Sequence, residues 1–135
     1  MGVIFVDKTV KASPVDAFDY TSLSKMDINL NDIKDKEKVI EQELVKAVKK
    51  VGGVCWKFVS PGTNAVPDRI ILVSLGRIAF VEVKAPGEKP RPLQVMRINQ
   101  IRKLGFKVYV LDNKNQIEAI ISEIIGGGSD EVHTT

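Results

Sequence analysis

The sequence predicts an α/β domain in which a mixed β-sheet is flanked by helices, with elements in the order α-β-β-β-α-β-α. Three observations carry this. Two β-branched-rich runs, residues 69–75 and 77–84, meet at Gly76, the pattern of a tight hairpin. Stretches with helical apolar spacing lie before and after that hairpin. A further strand-like run, residues 107–111, follows the second of these helices.

The elements follow in order. From Lys36 to Val51, Ile40, Leu44, Ala47, Val48 and Val51 recur at helical spacing, and Gly52-Gly53 stops the helix. Residues 54–59 form a strand that ends at Ser60-Pro61-Gly62. After the hairpin, Ala85-Pro86-Gly87 breaks the chain, and Pro90-Arg91-Pro92 leads into a helix over residues 93–104 that Gly105 caps. The strand at 107–111 precedes a last amphipathic helix over 115–125.

Residues 36–125 thus form one domain. Residues 1–35 are an extension in which 3–6 could be a short strand but Ser13-Pro14 and an Asn/Asp-rich stretch interrupt any periodicity; residues 126–135, opening Gly-Gly-Gly-Ser, read as a flexible tail. There is no internal repeat.

Composition narrows the chemistry. The chain has 135 residues, 44% hydrophobic and 27% charged, as expected of an ordinary globular protein. No apolar run approaches the roughly 20 residues that span a bilayer, and no signal-peptide pattern opens the sequence, so the expected home is a reducing cytoplasm. Cys55 is the one cysteine and reads as a buried small hydrophobe. The one histidine, His133, lies in the tail, which excludes Ser-His-Asp, Cys-His and histidine-ligated zinc schemes from the domain. Charge is uneven. Residues 1–35 carry four lysines against six aspartates and residues 126–135 carry two acids, so of the net +3 the central 36–125 hold +7, a balance suited to a phosphate-rich partner.

The hairpin brings chemistry together. Asp68 enters the first strand where Glu82 and Lys84 leave the second, and residues two apart on a strand share a face. Ile78 and Phe80 share that face, so Glu82 continues an apolar surface, where a carboxylate needs a compensating partner: Lys84, a divalent cation, or both. The first helix adds a third acid. At about 100° per residue from Ile40, Glu41 falls at about 100° beside Val48 at about 80°, inside the apolar arc. Glu43 falls outside it, and Glu37 lies on the inner arc one turn earlier, near the expected start of the helix. Glu41 is therefore the expected inward carboxylate, with Glu37 the alternate. Asp68 and Glu82 supply hard oxygen ligands for Mg2+ or Mn2+; Lys84 can orient a water nucleophile and offset transition-state charge, and Glu41 can hold a water or complete a second metal site.

Pro67-Asp68 with Glu82-Val83-Lys84 resembles the PD-(D/E)xK nuclease signature, and the surrounding residues resemble its VRR-NUC family. The similarity covers most of 36–112: Glu41 and Leu44, Gly52-Gly53, Lys57, Pro61-Gly62, Val66 to Arg69, Phe80 to Gly87, Pro92-Leu93-Gln94 and Gly105. The resemblance implies a restriction-endonuclease-like αβββαβ core. It implies that Glu41, Asp68 and Glu82 are metal ligands or their supports, that Val83 gives its carbonyl, that Lys84 is catalytic and that Gln94 assists. Members often have glycine two residues before the Pro-Asp pair, where this chain has Ala65. Small stand-alone members, of viral or bacterial origin, resemble structure-selective nucleases that act as homodimers on four-way DNA junctions. That implies a homodimer acting on branched DNA in a bacterial or phage-infected cytoplasm. Lys57, Arg69, Lys89, Arg91, Arg97 and Arg102 are the candidate phosphate contacts. Two alternatives stay open: a nucleic-acid-binding module of the same fold without turnover, and a carboxylate–lysine network that serves stability alone. A duplex- or flap-specific nuclease also fits the residues.

Overall fold

The computed structural model describes the backbone of residues 20–134 and side chains of residues 30–126. The chain divides into two units at Lys34–Asp35, and the second carries everything that follows. The possible strand at 3–6 lies outside the described residues.

The elements are α1 (Tyr20–Lys50), β1 (Val54–Lys57), β2 (Arg69–Val73), β3 (Arg77–Val83), α2 (Pro92–Lys103), β4 (Lys107–Leu111) and α3 (Ile117–Thr134), the last preceded by one 3-10 turn, Lys114–Gln116. This is the expected order, and the mixed sheet flanked by helices is the expected class. The strands lie in the order β1-β2-β3-β4, with β1/β2 and β2/β3 antiparallel and β3/β4 parallel. A parallel pair cannot be closed by a tight turn, so α2 makes the crossover.

Helix limits differ from the sequence-based expectation at both ends of the chain. α1 begins at Tyr20 rather than near Lys36. The stretch after Pro14 contains neither proline nor glycine before Gly52, and Leu23, Met26, Leu30 and Ile33 keep a three-four spacing that the Asn and Asp residues obscure. α3 runs through Gly126-Gly127-Gly128 to Thr134, where a flexible tail was expected. Glycine lowers helix propensity by about 1 kcal/mol per residue but leaves the backbone hydrogen bonds possible. β1 is also shorter than 54–59, stopping at Lys57.

The sheet has two unlike faces. On one, Cys55, Ile71, Ala79, Val81, Val83 and Leu111 are buried against Ile40, Leu44 and Val48 of α1 and Ile117, Ile120 and Ile124 of α3. This is the main core, and its alternation along β3 is what a half-covered strand requires. On the other face Phe80 pairs with Ile70 and Val108. Its ring lies 5.3 Å from that of Phe58 and 6.0 Å from that of Phe106, while Ile98 of α2 and Val108 are buried nearby. Cys55 is indeed a small core hydrophobe, and burial pushes its thiol up to about 11, which keeps it an inert neutral group.

α1 ends in a Schellman motif. Gly53 N–H donates to Val48 O at 3.0 Å and Gly52 N–H to Lys49 O at 3.0 Å, with Gly52 left-handed at φ +83°. Gly53 matters for a different reason: a Cβ there would meet Leu72 O and Val73 Cγ1 at 2.8 Å and Val48 Cγ1 at 3.0 Å. The helix end thus rests directly on β2 and sets how closely α1 approaches the sheet. Gly53→Ala is expected to cost about 1–3 kcal/mol by overpacking and to lower the melting temperature by several degrees, measurable by thermal denaturation.

Candidate active site

Strand register assembles the site. Arg69 pairs with Val81 and Ile70 with Phe80, so Asp68, one position before β2, lies opposite Glu82 near the end of β3. Both belong to the face that carries Phe80. Asp68 Oδ2 accepts the Val83 N–H at 2.8 Å, and its own carbonyl accepts the Phe58 N–H at 2.9 Å, which locks the acid across the start of the hairpin. Pro67, buried, precedes it and holds the approach. Val83 itself points into the core, so only its backbone serves the site.

Glu82 is 2% exposed, the one buried acid among the described residues. Two groups reach its Oε2: Gln94 Nε2 donates at 2.6 Å, and Lys84 Nζ lies 3.5 Å away. Gln94 is itself fixed, because its Oε1 accepts the Arg91 N–H at 2.8 Å at the start of α2. One amide therefore ties the first turn of α2 to the buried carboxylate.

The helix acids separate. Glu41 is half-buried and takes Arg69 Nε at 2.6 Å, with Lys57 Nζ 4.0 Å away, while the Arg69 guanidinium also donates to Cys55 O at 3.1 Å. Arg69 and Lys57 are paired strand neighbours with core-face parity, and Glu41 and Lys57 both act electrostatically on Asp68. Glu37, one helical turn earlier, lies within electrostatic reach of Lys84, Asp68 and Glu41. Both helix acids therefore act on the centre, Glu41 on Asp68 and Glu37 on Glu82. The sequence placed both acids on the inner arc, but which one meets the strand ends depends on how far α1 extends past the sheet, a tertiary quantity.

The electrostatics fit a cation site. Desolvation is the largest cause in each case, and it raises the carboxyls of Glu82, to about 7, of Asp68 and of Glu37. Asp68 and Glu82 also repel one another, and Glu37 adds to that repulsion at Glu82. Lys84 offsets only part of it. Two clustered acids and one amine leave negative charge uncompensated, and the hydrogen bonds described engage Asp68 through Oδ2 and Glu82 through Oε2. Oδ1 and Oε1 are hard donors of the kind Mg2+ or Mn2+ takes. Among the described residues no three His, Cys, Asp or Glu side chains are already drawn together into a metal-binding group.

Of the candidate cations, Lys57, Lys89 and Arg91 are exposed. Arg69 is engaged by Glu41. Arg97 donates to Asn64 O at 2.8 Å and Arg102 to Val108 O at 2.6 and 3.2 Å, so these two guanidiniums brace loops and α2.

A four-stranded mixed sheet flanked by helices, with an acid at the start of β2 and Glu-x-Lys at the end of β3, defines a restriction-endonuclease-like domain. Comparison with known proteins narrows this. No family model matches the sequence. The chain is 49% identical over 80 residues to "Putative nuclease p44" of Acyrthosiphon pisum secondary endosymbiont phage 1, covering 59% of this chain and 86% of that relative. A solved structure described as "VRR_NUC domain" superposes with a TM-score of 0.61 at 28% identity, over 64% of this chain and 95% of that one. The chain belongs to the VRR-NUC family.

The loop before Pro67-Asp68 shows a local cost. Ala65 adopts φ +64°, the left-handed conformation that glycine takes freely. Ala65→Gly is expected to raise stability by about 0.5–1 kcal/mol, the relief of left-handed strain less the added freedom of the unfolded chain, as a small rise in melting temperature.

The raised carboxyls also set a pH dependence. Between the ordinary carboxyl value of 4.5 and about 7, Glu82 binds more proton in the folded than in the unfolded chain. Metal-free stability should therefore fall as pH rises through that interval, Asp68 and Glu37 acting in the same direction. Thermal melts in chelator from pH 4.5 to 7.5 test this, and Glu82→Gln should flatten the slope.

Proposed function

We propose that this protein is a divalent-metal-dependent DNA endonuclease that hydrolyses phosphodiester bonds at the Asp68–Glu82–Lys84 centre. The observation that carries the proposal is the opposed pair of desolvated carboxylates with Lys84 Nζ 3.5 Å from Glu82, an arrangement costly to a fold that has no use for it. A binding surface for a polyanion would not concentrate acids there.

Asp68, Glu82 and the Val83 carbonyl would hold Mg2+ or Mn2+, with Glu41, or Glu37 as the alternate, the helix acid that completes the site. When bound, the metal supplies Lewis-acid polarisation of the phosphate and a lowered water pKa. The chain's own groups do the rest. Val83 N–H and Gln94 Nε2 fix the two carboxylates so that little reorganisation accompanies reaction. Lys84, held by Glu82, orients the attacking water and balances charge as it builds on the phosphoryl oxygens. Exposed Lys57, Lys89 and Arg91 steer the phosphate backbone.

In this reading the substrate is a four-way junction and the acting species a homodimer, because paired cuts on a two-fold symmetric substrate need two centres. The test is incubation with Mg2+ or Mn2+ and labelled junction, flap and linear duplex DNA. Paired cuts in the junction are expected, and Asp68→Ala or Lys84→Ala should lower the rate at least about a hundredfold. Cutting of flap or duplex instead would move the substrate assignment, and binding without cuts in either metal would leave a DNA-binding module. Glu41→Gln and Glu37→Gln are each expected to slow cleavage, and Glu41→Gln should also lower thermal stability by weakening the contact with Arg69.

A further inference from the structure

Trp56 is the one tryptophan of the chain, and it is 58% exposed on an edge strand. An indole in that position is unusual for a domain with a well-filled core, since full burial of so large an apolar group is strongly favourable. Register places it. Trp56 pairs with Ile70, and Ile70 with Phe80, so all three share the face that carries Asp68 and Glu82. Trp56 stands one strand across and two residues along from Asp68, about 8 Å by ordinary sheet spacings. Val54, Ile78 and Phe106, at 36%, 37% and 41% exposure, continue an open apolar strip over the same face. The tilted rings of Phe58 and Phe80 support it and end at the carboxylates.

We infer that Trp56 is a stacking platform for an unpaired base of the nucleic acid, seated on the same sheet face as the Asp68–Glu82 pair. This rests on the nuclease reading and names the substrate feature that the centre selects. The occupant follows from position. A protein partner of ordinary interface size buries about 800 Å2 per side and, seated on Trp56, would extend over Asp68 and close the centre. A homodimer contact therefore belongs elsewhere on the molecule. Nucleic acid must come to this place, and it alone offers both the anion that the basic 36–125 segment attracts and a flat apolar ring for the indole. A fully stacked duplex presents no free base face, so the platform favours DNA with splayed bases at a branch or fork.

Because Trp56 is the single tryptophan, intrinsic emission reports this position alone. The full chain in chelator is titrated with a fork bearing unpaired arms and with a blunt duplex, while anisotropy of the labelled DNA follows binding. The fork should quench the emission well beyond the duplex at equal saturation. Trp56→Ala should weaken fork binding about tenfold and duplex binding by less than about twofold, with Trp56→Phe restoring most of the difference. Fork binding with unchanged emission, or equal losses for both DNAs, would overturn the inference and leave the nuclease reading standing. A blue shift that grows with protein concentration without DNA would assign the strip to a second copy and also overturn it. Failure to bind any DNA would overturn both readings together.

Discussion

The structure turns on the placement of two carboxylates, Asp68 and Glu82, opposite one another at the end of a hairpin and largely out of water. Neither would settle there alone, because desolvation and mutual repulsion both disfavour charge. Everything around them offsets that cost. The Val83 N–H is turned onto Asp68, and the Gln94 amide and Lys84 amine onto Glu82. These donors come from β3, from the residues just after it and from α2, so the sheet edge and the crossover helix are fastened through the same two oxygen atoms. The negative charge that these donors leave uncompensated is what the proposed cation would offset.

Much of this was legible in the sequence because strand periodicity is rigid. Once Gly76 marks the turn, period two puts Glu82 and Lys84 on one face and returns Asp68 to the same end. Gln94 was reached only through family resemblance, since nothing in the local pattern says that the third residue of a helix will reach back to a strand twelve residues earlier. The choice between Glu37 and Glu41 was not legible. Both lie within the inner arc of α1, and they differ by one turn, about 5.4 Å along the axis. Over that length Glu41 meets Arg69 while still acting on Asp68, and Glu37 acts on Glu82. Sequence fixes the angle of a side chain about a helix far better than the height of the helix against its sheet.

Arg69 illustrates the same limit. As a basic residue beside Asp68 it looked available for phosphate, but adjacent residues on a strand face opposite ways, and its guanidinium turns to the core side, to Glu41 and Cys55 O. There it neutralises an acid that would otherwise be half-buried without a counterion, and it ties α1 to both β1 and β2. Trp56 shows the converse. Alternation alone puts it on a face, and tryptophan on a strand is usually covered. Which face a helix covers is decided by where α2 crosses, and α2 sits toward β4 and leaves the β1 side open.

The two faces therefore divide the labour of the domain. The core face holds the aliphatic contacts of α1 and α3, with Glu41 paired to Arg69 and Lys57 at its margin. The other face is thinly covered, aromatic and acidic at one end. α2 bridges them in an economical way: Pro92 starts it, Gln94 reaches Glu82, and Ile98, one turn on, is buried against the sheet. Packing of Ile98 thereby sets the height of Gln94, and Gln94 sets the rotamer of Glu82. A parallel crossover, needed only to add β4, thus also determines the geometry of the Asp68–Glu82 centre, and loosening α2 would disturb the centre before it disturbed the core.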